Sequence, residues 1–369
     1  MKIVTVVGAR PQFIKAATLS RAISRHNSQS ANLTIDEKIL HTGQHYDATM
    51  SENLFEELEI PHPHFHLNIR SDSQGAQTGK MLEKIESVLK KELPDALLVY
   101  GDTNSTLAGA LAAAKLHIPV VHIEAGLRSF NRRMPEEVNR VICDHISTLL
   151  FCPTQTSLKN LQDEGITKGV EWVGDIMYDG ILYYQRKASQ TILDYLSIEP
   201  NNYILATVHR AENTDNPARL QSIIKALEDT ADSLKTLVLA LHPRTKKLLK
   251  QHSLELSKSI KVIEPTPYLE TITLLKNAKA IMTDSGGLQK EAFFLKTPCI
   301  TLRDETEWVE TIENETNKLV GADANKTAKV LNQLLSGEWK PNFSEKPYGL
   351  GDSANSIINY LIKFKNHIS

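Results

Sequence analysis

The stretch ALLVYGDTNSTLAGALAAAKLHIPVVHIEAG, residues 96–126, decides the fold. Ala96–Tyr100 and Val120–Ile123 are short apolar runs of strand type, and Thr106–Leu116 between them has the spacing of an amphipathic helix. A strand, a helix and a second strand in so short a span predict a parallel pair joined by a right-handed crossover. Each strand ends in a small residue beside an acid, Gly101-Asp102 and Glu124-Ala125-Gly126. An unpaired acid at the end of a buried strand is costly, so these two carboxylates demand a reason.

The same pattern recurs on both sides. Ile3–Val7, Lys38–Thr42 and Leu149–Cys152 complete a first set of strands. Ile204–Val208, Leu237–Leu241, Lys261–Ile263, Ala280–Met282, Cys299–Leu302 and Leu319–Val320 form a second. Helical patterns, such as Arg219–Asp229, alternate with them. Eleven strands exceed one compact sheet, and two parallel sheets of five or six fit better. The expected division is a domain over residues 1–173 and a second over 174–352, with a break at Val173-Gly174-Asp175 before a helical pattern over Tyr178–Leu196. A C-terminal amphipathic helix, about 353–369, is expected to return to the first domain.

With 369 residues there is material for two cores. A net charge of -2 excludes a general basic field for nucleic acid or an anionic membrane, so any anion site must be local. Cys143, Cys152 and Cys299 lie in apolar or strand-like settings without metal-ligand spacing and read as reduced core cysteines. His62, His64 and His66 alternate with prolines and a phenylalanine and read as loop residues, not a metal site. The opening MKIVTVVG is too short for a signal peptide, and no apolar run spans a bilayer. These features predict a soluble cytoplasmic protein without metal or cofactor.

Ligands of open parallel sheets bind beyond the carboxyl ends of the strands. Read there, Asp284-Ser285-Gly286-Gly287-Leu288-Gln289-Lys290-Glu291 follows a strand and opens a helix. Its glycines let a phosphate approach free amides, Ser285 can donate as well, and Glu291 can accept from ribose hydroxyls. The same residues also suit an ordinary N-cap at Asp284 or Ser285. Gly8-Ala9-Arg10-Pro11-Gln12-Phe13-Ile14-Lys15 has a similar layout, with Arg10 and Lys15 as candidate diphosphate contacts. It lacks the full Gly-x-Gly-x-x-Gly pattern, and no acid follows strand two, which disfavours dinucleotide binding. Asp102, Glu124 and Glu136 are candidate acid/base groups; Asp102 and Glu136 also read as helix-capping acids, whereas Glu124 has no cap to serve. His209-Arg210-Ala211-Glu212-Asn213 suits a phosphate oxygen at another strand end. Arg128, Arg132 and Arg133 can steady the acids, bind substrate or lie in solvent.

These motifs, together with Gly101–Thr106, His122–Arg128, Pro135–Arg140, Arg303–Glu310 and Asn317–Gly321, resemble end to end the non-hydrolysing UDP-N-acetylglucosamine 2-epimerase family. Gly8–Lys15, His41–His45 with Met50-Ser51, Ser129–Met134 and Arg303–Glu310 are most similar to its UDP-2,3-diacetamido-2,3-dideoxy-glucuronate 2-epimerase branch. The resemblance implies a GT-B-like fold, two Rossmann-like parallel-sheet domains facing a cleft. It implies inversion at C2 of a UDP-sugar by elimination of UDP and its re-addition, a homodimer, and a place in bacterial surface polysaccharide synthesis. By matched position, Asp102, Glu124, Glu136 and His209 are the implied catalytic groups. Arg10, Lys15, Arg210, Glu212, Ser285, Gly286, Gly287 and Glu291 are the implied UDP-sugar contacts, and Gln44, His45 and His242 belong to a possible second site. Two departures stand out. Asp47 follows where a second glutamine of the activator segment is usual, and Trp308-Val309 replaces the usual Arg-Pro. A GT-B glycosyltransferase, a hydrolysing 2-epimerase and a non-catalytic UDP-sugar binder are the competing readings, and fold does not separate them.

Overall fold

A computed structural model of the chain describes residues 1–29, 33–44, 55–69, 73–234 and 236–368. Its strands form two parallel sheets. The chain divides into two compact units, Met1–Gly180 with Pro347–Ser369, and Ile181–Lys346. The crossing falls inside a helix, Ile176–Tyr184, rather than at Val173–Asp175. The reason is local: the Asp175 amide donates to the Tyr348 carbonyl, so the start of that helix belongs with the returning C-terminal chain.

In the first unit the strands are β1 (Lys2–Val7), β2 (Asp36–His41), β3 (Phe65–His66), β4 (Ala96–Tyr100), β5 (Val120–Ile123), β6 (Leu149–Cys152) and β7 (Val170–Trp172), in sheet order β3-β2-β1-β4-β5-β6-β7. Helices α1 (Arg10–Gln29), α2 (Gln74–Glu92), α3 (Asn104–Lys115), α4 (Pro135–Ile146), α5 (Gln155–Asp163) and α6 (Ile176–Tyr184) make the connections. Strands β3 and β7 exceed the expected count. They are two- and three-residue edges, too short for an apolar run, and His66 lies in β3 rather than in a loop. The central strands β1, β4 and β5 are buried along almost their whole length, which is why they read as apolar runs broken only by Thr5 and His122 among their buried residues.

The second unit carries β8 (Ile204–Thr207), β9 (Leu237–Ala240), β10 (Ile260–Ile263), β11 (Ala280–Thr283), β12 (Cys299–Thr301) and β13 (Asn317–Leu319), ordered β10-β9-β8-β11-β12-β13. Its helices are α7 (Thr191–Tyr195), α8 (Ala211–Thr214), α9 (Pro217–Leu234), α10 (Pro243–Gln251), α11 (Tyr268–Asn277), α12 (Gly286–Phe294), α13 (Val309–Glu313) and α14 (Ala324–Ser336). The expected helix over Tyr178–Leu196 is thus two, α6 and α7. Ser189 breaks it, its hydroxyl accepting the Thr191 amide instead of leaving that amide to a helical carbonyl. A core of Ile204, Ala206, Leu237, Leu239, Met282 and Ile300 is closed by Leu220, Ile223 and Leu227 of α9.

Both sheets reverse their strand order at one place, between β1 and β4 and between β8 and β11. The crevice at such a switch point is where open α/β sheets bind ligands. Arg10 and Asp102 follow the first pair of strands, and His209 and Asp284 follow the second.

The last helix, α15 (Ser353–Ile368), packs in the first unit, with Tyr360 against Phe151 and Lys365 on Asp95. Its first turn is capped from α6: the Asp179 carboxylate accepts the Ser353 amide at 3.1 Å and the Ala354 amide at 2.9 Å. Burial pushes the Asp179 carboxyl up to about 6, against those bonds. A carboxyl raised in the folded state contributes stability that is full below its unfolded value of 3.8 and lost as pH rises through about 6. Compared with Asp179→Asn, the wild-type advantage in melting temperature should be largest near about pH 4 and smallest near about pH 8. An advantage that grows with pH would contradict this account.

Candidate active site

In the first unit three turns meet beyond β1, β4 and β5. The β1–α1 turn is closed by its own helix. The Gln12 side chain accepts the amides of Gly8 and Ala9 at 2.8 and 3.1 Å and donates to the Tyr100 carbonyl at 2.8 Å and the Thr106 hydroxyl at 2.9 Å. A side chain on Gly8 would overlap the hydroxyls of Ser105 and Thr42. Two of the amides that would receive an anion are thus occupied by Gln12, and the cations of this turn are Arg10 and Lys15.

Lys15 does not point to solvent. It is 5 % exposed, and its ammonium lies 2.6 Å from the Glu124 carboxylate. Glu124 has φ 73°, a left-handed conformation that non-glycine residues seldom adopt and that costs of order 1–3 kcal/mol. The amides of Glu124 and Ala125 both donate to the Phe151 carbonyl, which holds the turn in that shape. Gly101, with φ 61°, presents no side chain where the Lys15–Glu124 pair sits.

Asp102 is not the cap of α3; Thr103 is, accepting the Thr106 amide. The Asp102 carboxylate instead takes Arg140 of α4 at 2.6 Å, and its carbonyl takes the Asn139 amide group at 2.8 Å. Arg140 also binds Glu137 at 2.8 Å. Burial pushes the Glu137 carboxyl up, but the Ser129 amide, Arg140 and the Phe130 amide outweigh it and hold it below the usual range. Glu136, one residue earlier in the first turn of α4, is half-buried and takes no part in these bonds. Of the three arginines, Arg128 is buried between Asp144 at 2.7 Å and Glu164 at 2.7 Å, while Arg132 and Arg133 are exposed. Gln44 is tied to α3 through the Ser105 amide and hydroxyl, at 3.0 and 2.7 Å. His45 lies outside the described residues.

In the second unit Asp284, fully buried at the end of β11, organises the turn after β8. It accepts the amides of His209 and Arg210 and the side chain of Asn213, and lies 3.3 Å from the His209 ring. Burial lowers the His209 pKa, opposed by Asp284 and aided by Arg210. His242 caps α10, its ring 5.8 Å from that of His209. Ser285 is the cap of α12, accepting the Leu288 amide at 3.4 Å, so the capping reading and the anion-site reading share one residue. The two glycines differ. A side chain on Gly286 would strike Glu307, whereas nothing lies within 3.9 Å of one on Gly287, leaving a first turn open to a ligand. Glu291 is buried in the same helix and Glu212 is exposed near Arg303. Trp308 is buried beneath the Lys290 ammonium, 4.1 Å from its ring centre, a cation–π contact. The three cysteines are buried thiols, and burial pushes Cys152 and Cys299 up to about 12. Among the described residues no group of His, Cys, Asp and Glu could hold a metal ion, and no helix is long and apolar enough to cross a membrane.

Gln12, Arg140, Asp144 and the Asp284 hub escaped the sequence reading. Gln12 and Asp144 lie inside helices at positions that read as ordinary amphipathic pattern, and only contact across the fold gives them a partner.

Two Rossmann-type parallel sheets with charged groups beyond their strand ends define a GT-B-like protein. A model of the UDP-N-acetylglucosamine 2-epimerase family matches residues 27–362. A UDP-N-acetylglucosamine 2-epimerase homolog of Methanococcus maripaludis is 51% identical, covering 98% of this chain and 99% of its own. The UDP-2,3-diacetamido-2,3-dideoxy-D-glucuronate 2-epimerase of Pseudomonas aeruginosa is 48% identical over 98% of this chain and 100% of its own. The crystal structure of Methanocaldococcus jannaschii UDP-GlcNAc 2-epimerase with UDP-GlcNAc and UDP superposes with a TM-score of 0.90 at 44% identity, covering 98% of this chain and 100% of that one. The chain belongs to the UDP-N-acetylglucosamine 2-epimerase family and is an isomerase.

The Glu124 turn offers a direct test. A side chain on Gly126 would come within 2.2 Å of the Ser157 carbonyl, at φ 79°. Gly126→Ala should cost on the order of 2–4 kcal/mol of unfolding free energy in urea. A loss below about 0.5 kcal/mol would show that the turn is not so constrained.

Proposed function

We propose that the chain is a non-hydrolysing 2-epimerase of UDP-activated N-acetylated amino sugars, with UDP-2,3-diacetamido-2,3-dideoxy-glucuronate as its favoured substrate. The observation that carries the reading is the Lys15–Glu124 pair, a carboxylate 2.6 Å from an ammonium and on a left-handed backbone at a strand end, with Asp102 on the neighbouring strand end. A base takes the C2 proton, the C1–O bond breaks with its electron pair leaving on the UDP phosphate, and C1 and C2 become doubly bonded as a 2-acetamidoglycal. A proton then arrives at C2 on the other face and the phosphate oxygen re-forms the bond at C1. No atom is gained or lost. Inversion requires two proton carriers, and Glu124, Asp102 and Glu136 supply the candidates.

His209 is assigned to departure and return of UDP. Burial lowers the pKa of its ring, and a diphosphate beside it favours the imidazolium, which can donate to the leaving oxygen. Ser285, Gly286 and Gly287 are assigned to the phosphates, Glu291 to the ribose, and Arg10, Arg210 and Glu212 to further contacts with the UDP-sugar. The enzyme is expected to act in the cytoplasm as a homodimer. A second substrate, UDP-N-acetylglucosamine, is favoured by the 45% identity to the Methanocaldococcus jannaschii UDP-N-acetylglucosamine 2-epimerase. The diacetamido substrate is supported by the Pseudomonas aeruginosa relative and by Trp308, where the usual family pattern has arginine.

Turnover in heavy water should place deuterium at C2 of the product without any sugar acceptor, and full retention of the original hydrogen would rule out elimination. Glu124→Gln and His209→Asn should each lower kcat by about 10²–10⁴-fold. A substrate with a better leaving group should restore rate in His209→Asn alone, and equal rescue of both would reverse the roles.

Side-by-side kinetics decide the substrate. kcat/KM is expected to be higher for UDP-2,3-diacetamido-glucuronate than for UDP-N-acetylglucosamine. The opposite order would keep the 2-epimerase reading and change its substrate.

A further inference from the structure

Beneath the two acid-bearing turns of the first unit lies a buried carboxylate that the chemistry above does not use. Asp144, on α4, is 1 % exposed. One of its oxygens meets His122 Nδ1 at 2.8 Å. The other accepts the Gly126 amide at 3.1 Å and Arg128 Nη1 at 2.7 Å. The fully buried His122 ring, on β5, turns its second nitrogen to the Gly101 carbonyl at 2.7 Å. That carbonyl can only accept, so Nε2 carries a hydrogen. Burial alone would raise the Asp144 carboxyl; the His122 bond and charge, with Arg128, outweigh it and hold it below the usual range.

The two anchored groups have a common property. Gly101 immediately precedes Asp102, and Gly126 closes the turn that begins at Glu124. Both glycines have positive φ, so each turn takes a shape that a regular strand end would not impose. A single carboxylate therefore ties together the ends of β4 and β5 at the residues that carry the acids. Asn139 and Arg140 of the same helix complete the grip on Asp102. The Arg128–Glu164 arm shares this carboxylate but reaches neither the Gly101 carbonyl nor the Gly126 amide through its own bonds, and Glu164 is partly exposed.

We propose that Asp144 and His122 are positioning residues that fix the spacing of the Asp102 and Glu124 carboxylates, acting through the Gly101 carbonyl and the Gly126 amide. This rests on the reading of those acids as groups that handle the C2 proton. Proton transfer on two faces of one carbon requires both carboxylates in place at once, and a displacement of about 1 Å commonly costs 10²-fold in rate. A loosened second acid also leaves the glycal waiting longer, so it escapes.

The test compares Asp144→Asn and His122→Gln with Glu164→Gln, all in the full chain, using the UDP-sugar that the wild type turns over. Urea stability, UDP binding, kcat, KM and release of free UDP with 2-acetamidoglycal are measured. Asp144→Asn and His122→Gln should lower kcat about 10–10²-fold with KM and UDP affinity within about twofold, and should release more glycal per turnover. Glu164→Gln should lose stability but keep wild-type kcat and glycal release. If Asp144→Asn does not fold, His122→Gln, which keeps both Asp144 and Arg128, carries the comparison. Wild-type kcat and glycal release in folded His122→Gln, or an equal kcat loss in Glu164→Gln, would overturn the proposal and leave the epimerase reading standing. A wild type with no 2-epimerisation and no C2 exchange would overturn both.

Discussion

A charge set at the end of a strand that is covered on both faces must find its partner within the fold. That constraint shapes the first unit. Glu124 meets Lys15 and Asp102 meets Arg140, and Asp144, buried on α4 beside them, meets His122 and Arg128, each at 2.6 to 2.8 Å. For the fully buried Arg128–Asp144 pair, removing one partner leaves a charge uncompensated, typically at about 3–5 kcal/mol. The pairs therefore fix the relative places of α1, β4, β5 and α4, and the left-handed turn at Glu124 is tolerated because its surroundings over-determine it.

The second unit meets the same constraint with backbone rather than with cations. Asp284 ends a strand, is fully buried, and is satisfied mainly by the amides of His209 and Arg210 and by Asn213. The Arg210 side chain makes none of these bonds and the His209 ring only approaches the carboxylate, at 3.3 Å, whereas in the first unit Lys15 and Arg140 are committed to carboxylates. One strand order thus supports two electrostatic arrangements.

The alternating strands, their parallel pairing and the residues beyond their ends were legible in the sequence because apolar runs and turn residues are local signals. The edge strands Phe65–His66 and Val170–Trp172 were not, since two or three residues carry no period. The acids Asp102 and Glu124 stood out by position. Their partners did not: an arginine or aspartate on a helix such as Pro135–Ile146 reads as solvated surface until the fold turns it inward. Trp308 was legible as a departure from the family pattern, but its place under Lys290 depends on packing that no local pattern encodes.

Gln12 gives the two units different chemical characters. Both have a strand–turn–helix at a point where the strand order reverses, the setting in which nucleotide phosphates are commonly held. In the first unit one amide side chain bonds Gly8, Ala9, Tyr100, Thr103 and Thr106 at once. A phosphate seeking the Gly8 and Ala9 amides would have to displace the Gln12 carbonyl oxygen from them. The turn is self-liganded: two of its amides are held by a side chain of its own helix, so an anion reaching it would be met by side chains such as Arg10 rather than by those amides.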